Sequence, residues 1–244
     1  MFHENKKLIS LLKDKSLCFV GPATTLEGSK AGKDIDKFDY VIRTNDSAFM
    51  DSSHYVDYGS KTDIVYLNNA FLKRRLGMKN KLDVKVKNLI TLLHELKSKN
   101  IKIVIVKGEQ TKKLIQSALR SYSRVKKIKI DIIVEATSKK WKTGNLRNLW
   151  KKDRSKFFEP TLAVYVLSDV IQVIPKLLYV TGMDFYTGTS HWYGTYNEKL
   201  SQKKAELERR QKHHVLGDLE YLQYLKSACK FIKFDSVLNQ FLSN

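Results

Sequence analysis

Residues 17–66, LCFVGPATTLEGSKAGKDIDKFDYVIRTNDSAFMDSSHYVDYGSKTDIVY, decide how this chain folds. A hydrophobic strand runs into a Gly/Ser/Thr loop. A second strand then ends in Arg43-Thr44-Asn45, and a Gly59-Ser60-Lys61-Thr62 turn leads into a third strand. An apolar run followed by a glycine-containing loop is how α/β proteins bring backbone N–H groups to a nucleotide phosphate. The loop Gly21–Gly32 is neither G-x-G-x-x-G nor G-x-x-x-x-G-K-[ST], so a dinucleotide fingerprint and a P-loop are both excluded.

The rest of the chain repeats the alternation. Strands are predicted at Ser16–Val20, Tyr40–Arg43, Asp63–Leu67, Lys102–Val106, Lys129–Val134, Leu177–Thr181 and Phe231–Phe234. Helices are predicted at Glu4–Lys13, Asp83–Lys99, Thr111–Tyr122, Trp141–Lys151, Thr161–Ile174 and from His213 onward. Thr161–Ile174 is apolar nearly all round, the mark of a buried helix. Strands alternating with helices imply an α/β, Rossmann-like, doubly wound and mostly parallel sheet with right-handed crossovers and helices on both faces. The segment Tyr186–Lys212 begins aromatic and turns strongly charged, and it reads as a lid beyond the last strand. At 244 residues with three prolines and no repeat, the chain is read as one domain, 1–244.

Forty-five Lys and Arg against twenty-five Asp and Glu give a net charge of +20. Such a surface attracts polyanions, or it reflects a lysine-rich proteome. The charge is spread along the chain, which suits an anionic membrane surface or an acidic glycan better than a sequence-reading site. No zinc-finger, RNP or helix-turn-helix signature is present, so no specific nucleic acid is expected. Apolar runs fall short of the roughly 20 residues that span a bilayer, and no signal-peptide core stands at the N-terminus. Cys18 and Cys229 alone make neither a disulfide framework nor a metal site. A reducing, cytoplasmic setting with peripheral membrane contact is the expectation.

Of six histidines, His94 lies inside an amphipathic helix, His3 in the terminus, and His54 in a polar loop without an evident partner. His191, His213 and His214 remain as general-base candidates. Helical geometry pairs His214 with Asp218, at i and i+4. Tyr186, His191, Trp192, Tyr193 and Tyr196 form an aromatic cluster whose hydroxyls and imidazole could donate to a leaving phosphate. Aromatic packing onto the sheet is the simpler use of the same residues. No carboxylate cluster suits a divalent metal; Asp34-Ile35-Asp36 reads as the surface of a helix leading to Phe38.

These residues in this order resemble the sialyltransferases. Cys18-Phe-Val20-Gly21, Leu26-x-Gly28-Ser29-x-x-Gly32-Lys33-x-Ile35-Asp36, Phe38-Asp39-Tyr40-Val41-Ile42-Arg43-x-Asn45 and Gly59-Ser60-Lys61-Thr62 are similar to the large sialylmotif. Pro160–Val164 with Tyr179–Gly182 is similar to the small motif, His191-Trp192-Tyr193 to the third, and His213-x4-Asp218 to the last. Gly182-Met-Asp184-Phe-Tyr186 and a late His-x4-Asp are also shared with the small bacterial sialyltransferases. The resemblance spans about residues 17–234. It implies a modified GT-A fold, a CMP-activated sugar donor, a glycan hydroxyl as acceptor, inversion at the anomeric carbon, and no metal or other cofactor.

Carried over residue by residue, the resemblance gives Gly21, Thr24, Gly28 and Ser29 to the phosphate and ribose of CMP, Asn45 to the nucleoside, and Thr161 to the donor's surroundings. Tyr186, His191 and Tyr193 would hold the departing phosphate. Motif register makes His213 the base, oriented by Asp218, where helix geometry favours His214. Pro22 and Ala23 replace the usual Asn after Val-Gly, and Ala163 replaces a glycine. The disulfide between the large and small motifs cannot form, and no stem or anchor is evident, so a microbial or viral cytosolic enzyme is expected. The altered donor loop keeps CMP-Kdo beside CMP-sialic acid as donor, and a non-enzymatic polyanion binder stands as the reading of another class.

Overall fold

The computed structural model describes residues 6–77, 86–126, 132–137, 149, 159–184 and 215–243. Seven strands form one sheet: β1 Ser16–Val20, β2 Tyr40–Thr44, β3 Ile64–Leu67, β4 Ile103–Val106, β5 Ile133–Ala136, β6 Leu177–Thr181 and β7 Ile232–Phe234. Every pair is parallel, in the order β5-β4-β3-β2-β1-β6-β7. The described helices are α1 Lys6–Leu12, α2 Gly32–Ile35, α3 Tyr55–Tyr58, α4 Asn69–Leu76, α5 Val86–Ser98, α6 Glu109–Lys126, α7 Leu162–Val170, α8 Val215–Ala228 and α9 Ser236–Phe241. None of them is long and apolar enough to cross a membrane.

Period-2 alternation distributes the strand residues to two faces. Ile64, Tyr66, Ile103 and Ile105 join Phe19, Ile42 and Val180 in a core with Val164 and Leu167 of α7 and Leu222 and Leu225 of α8. On the other face Val65, Leu67, Val104 and Val106 meet Leu72 of α4, Leu93 of α5 and Ile115 of α6. Cys18, Val20 and Val41 are closed over by Ile35 and Tyr58. Strands buried on both faces carry no polar alternation, which is why their continuous apolar runs were legible.

The β2–β3 connection is tied by a buried guanidinium. Arg43 is completely buried, and its Nε donates to the Lys61 carbonyl at 3.2 Å and to Thr62 Oγ1 at 3.1 Å. Its Nη2 donates to the carbonyls of Tyr58 at 2.5 Å and Gly59 at 3.1 Å. From the opposite side the Asp36 carboxylate accepts Ser60 N, Ser60 Oγ and Lys61 N at 2.9, 2.8 and 2.9 Å. Gly59 lies at φ +77, and a Cβ there would stand 2.5 Å from Asp36 Oδ1; a Cβ on Gly32 would stand 2.0 Å from the Tyr55 carbonyl. Burial lowers the Arg43 pKa to about 10, which still leaves it charged at neutral pH.

Several boundaries differ from expectation. β5 was predicted at Lys129–Val134 and lies at Ile133–Ala136. The Lys-Ile alternation set the earlier start, whereas pairing with Ile103–Val106 of β4 sets the real one. The predicted Thr161–Ile174 helix divides into α7 and a 3-10 turn, Ile171–Val173. α4 was not foreseen, although Asn68 caps it by accepting Phe71 N at 2.8 Å and Gly77 ends it at φ +62. Asp36 is half-buried and tied to the turn at Ser60, so it is more than helix surface. The predicted helix Trp141–Lys151 falls outside the described residues except at Leu149, and the predicted lid Tyr186–Lys212 falls wholly outside them.

Arg43→Lys keeps the charge but loses the fork that spans three carbonyls. It should cost about 2–4 kcal/mol in urea unfolding, because buried acceptors lose their donor. Arg74→Lys, in the exposed pair with Asp46, should cost less than about 1 kcal/mol. Equal costs would remove Arg43 from its central place.

Candidate active site

β1 lies between β2 and β6, so the chain's winding reverses direction beside it. In open α/β sheets ligands bind at such a switch point, outside the carboxyl ends of the strands. The loops after β1 and β6 are zipped together there. Gly21 N donates to the Thr181 carbonyl at 2.8 Å and Ala23 N to the Gly182 carbonyl at 2.9 Å. A Cβ on Gly21 would stand 2.3 Å from the Gly182 oxygen, and Gly182 itself lies at φ +69. Gly21 is therefore buried, and its lack of a side chain serves this close approach. Asp235, which caps α9, accepts Thr181 Oγ1 at 2.6 Å, Gly182 N at 3.2 Å and Leu238 N at 2.7 Å. Sequence reading missed Asp235; an Asp between a short strand and an apolar helix start was its signal.

Thr24 opens a 3-10 turn, Thr24–Leu26, and is half-buried. Tyr58 OH donates to the Ala23 carbonyl at 2.9 Å, and burial drives that phenol's pKa well up. Farther along, the Asp57 carboxylate accepts Gly28 N at 2.9 Å and Lys30 N at 2.8 Å. Ser29 N donates to the Leu26 carbonyl at 3.0 Å, and Ala31 N donates to Ser29 Oγ at 3.3 Å. The amides of Gly28 and Ser29 are thus committed within the loop, and Gly28 is exposed at φ +77 with open space around it. Asp57 acts as a clip for the loop, and its two amide partners hold its pKa below the usual carboxylate value.

Asn45 follows β2 directly, at φ +48. Asn tolerates this left-handed conformation better than other side chains do. Its Oδ1 accepts Asn68 N at 3.0 Å, fastening the ends of β2 and β3 together. Beyond β4, Lys107 pairs with Glu159 and stands 4.9 Å above the Tyr165 ring, which holds the start of α7 at the same edge. Thr161 is the N-cap of α7, and its N–H donates to Asp218 Oδ2 at 3.2 Å. Asp218 is 1 % exposed and sits in the first turn of α8. One carboxylate therefore links two helix N-termini, where the positive dipole ends favour an anion.

Gly21, Thr24, Asn45, Thr161 and Asp218 are thus placed at the carboxyl edge. Tyr186, His191, Tyr193, His213 and His214 lie outside the described residues, as does the choice between His213 and His214. Two other histidine readings are settled. His54 meets the Tyr58 ring edge-on at 6.3 Å and so has a partner, and exposed His94 joins α5 to α6 through Tyr122 OH at 2.7 Å. Cys18 and Cys229 are free thiols. Among the described residues no group of three or more His, Cys, Asp or Glu could hold a metal ion.

A parallel sheet wound both ways from a crevice beside β1 is the architecture of an α/β protein that works at its carboxyl edge. The model of glycosyltransferase family 29 (sialyltransferase) matches residues 13–229, and the chain belongs to that family. It is a glycosyltransferase of the sialyltransferase class, which removes the polyanion-binder reading. The sialyltransferase CstII from Campylobacter jejuni, in complex with the substrate analogue cytidine-5'-monophosphate, is similar in fold. The TM-score is 0.56 at 18 % identity, covering 94 % of this chain and 84 % of that one. The monofunctional alpha-2,3-sialyltransferase Cst-I of the same organism gives 0.51 at 19 % identity, covering 94 % and 80 %. No curated protein matches the chain.

The Asp57 clip carries a pH signature. Its folded pKa is depressed, so its stabilisation is full above the unfolded value of about 3.9 and is lost as pH falls through the folded value. Asp57→Asn should therefore be less stable than wild type at neutral pH, and the gap should close as the pH drops into that acid window. A gap that is unchanged down to the acid limit of folding would refute the clip.

Proposed function

We propose that the protein transfers sialic acid from CMP-sialic acid to a glycan hydroxyl, with inversion and without a metal. The observation that carries this reading is the convergence at one edge of the β1 loop, Asn45, Thr161 and Asp218, with the last two joined by a hydrogen bond. Parts of the large, small and last motifs that are distant in sequence thereby stand at the same edge of the sheet. The CMP complex of the similar Campylobacter enzyme supports a cytidine nucleotide as the donor's carrier.

The chemistry follows from the donor class. The C2–O bond to the CMP phosphate breaks ahead of attack, leaving oxocarbenium character at C2. The acceptor oxygen bonds to C2 from the opposite face, and its proton passes to His213. The electron pair of the broken bond leaves on CMP, where Tyr186, His191 and Tyr193 donate hydrogen bonds to the phosphate. Asp218, fixed by Thr161 N–H, is a positioning residue that stabilises the imidazolium formed on His213.

The test is CMP release from CMP-sialic acid and from CMP-Kdo, with and without EDTA. Release from CMP-sialic acid, unaffected by EDTA and reduced about 10²–10⁴-fold in His213→Ala, is expected. Preference for CMP-Kdo would replace the donor, and retained transfer in His213→Ala with inactive His214→Ala would replace the base.

Asp218→Asn keeps an acceptor for Thr161 N–H, so folding should survive. Losing the charge lowers the pKa of a neighbouring imidazole, so the acid limb of the pH–rate profile should move to lower pH. An unmoved limb would deny Asp218 its role beside the base.

A further inference from the structure

Opposite the candidate active site, at the amino-terminal edge of the sheet, lysines gather at the starts of three neighbouring strands. Ser16 of β1 pairs with Leu177 of β6, and Lys176 N donates to the Lys15 carbonyl at 2.9 Å, so Lys15 and Lys176 are adjacent. Lys230 precedes β7, where Leu178 N donates to the Phe231 carbonyl at 2.9 Å. Lys13 ends the turn that leaves α1. All four lysines are exposed, and none forms an ion pair with a described residue. Two acids stand close. Asp14 lies between Lys13 and Lys15, and Asp39 spends its carboxylate on Ser16 N and Oγ, both at 2.7 Å.

Ile174 lies at the same edge of the sheet. It is 62 % exposed and lies at φ +51, two residues before Lys176 and beside the helix that leads to Lys13. A β-branched residue in the left-handed region is strained. Glycine or asparagine would relieve the strain, and either would remove an exposed apolar side chain. Folding gains nothing from isoleucine here. Adjacent like charges outnumbering the nearby acids, of which Asp39 attracts Lys15, likewise do not help the folded state.

We propose that this edge docks on an anionic phospholipid surface, with Ile174 entering the headgroup–acyl boundary and Lys13, Lys15, Lys176 and Lys230 meeting lipid phosphates. An exposed apolar side chain on the same edge as several cations is the combination that binds such a surface, since each feature alone binds it weakly. A soluble acidic glycan would use the lysines but would have no use for the isoleucine. The docked orientation turns the carboxyl edge toward water, leaving the crevice open to a soluble nucleotide sugar. The inference is independent of which CMP-sugar is the donor.

Sedimentation of the full chain with phosphatidylserine-containing vesicles, against pure phosphatidylcholine vesicles and soluble heparin, tests it. The Lys15→Gln, Lys176→Gln, Lys230→Gln triple variant should lose on the order of 100-fold in partitioning to the anionic vesicles. A charge-matched triple on the exposed face of α6, Lys113→Gln, Arg120→Gln, Arg124→Gln, should lose less than about tenfold. Ile174→Asn should weaken vesicle binding while keeping or raising the melting temperature and leaving heparin binding unchanged. Four outcomes would each overturn the proposal: no vesicle binding by wild type, equal losses in the two triples, unchanged vesicle binding in Ile174→Asn, or a loss of heparin binding in that variant as large as its loss of vesicle binding.

Discussion

A single guanidinium holds the turn on which the first half of this fold depends. Arg43 sits without any exposure beneath the β2–β3 connection and supplies the donors that the carbonyls of Tyr58, Gly59 and Lys61 would otherwise seek from water. A backbone turn buried against a sheet cannot leave its polar groups unpaired. Asp36 does the complementary work, accepting the N–H groups that Arg43 cannot satisfy. With the turn fixed, Asp63 continues the ladder by accepting Val41 N at 2.9 Å, and β3 enters in register beside β2. Gly32 and Gly59 follow from the same constraint, since side chains at either would push α2, α3 and the turn apart.

This divides the long motif of the first strands in two. Gly32, Asp36, Arg43 and Gly59–Thr62 carry the resemblance to the sialyltransferases, yet they satisfy backbone and close the scaffold. Gly28 and Ser29, read as nucleotide contacts, have their amides occupied by Asp57 and Leu26. The strands were legible because apolar runs buried on both sides have few other places to go. β5 was blurred because it is an edge strand whose limits are set by β4, a partner distant in sequence. Asn68 and Gly77 did announce α4, but its exposed Lys73 and Arg74 diluted the apolar pattern.

The site was legible as an ordered set of residues, and less so as an arrangement. Spacing put His213 or His214 near Asp218, but nothing local in the sequence said that Asp218 would reach across to Thr161. That contact joins residues far apart in the chain, and it exists because α7 and α8 both begin at the carboxyl edge of the sheet. Asp235 is a similar case: a helix cap by sequence, and in space the clamp on the end of β6. Burial also keeps Cys18 chemically quiet, with its thiol pKa pushed up to about 12.

The position of β1 in the strand order has a consequence for synthesis. β1 is the second element of the chain, yet one of its two hydrogen-bonding edges is covered by β6, whose last residue is Thr181. While the ribosome makes the intervening segment, β1 through β5 can pair among themselves, and the remaining edge of β1 stays open. An uncovered central edge made of Leu17, Cys18, Phe19 and Val20 is a template for pairing with another nascent chain. Closing it requires a loop of most of the protein's length, the slow kind of contact in a parallel sheet. The strand that organises the finished crevice is therefore sealed late, and until then its thiol and its backbone remain open to whatever the cell presents.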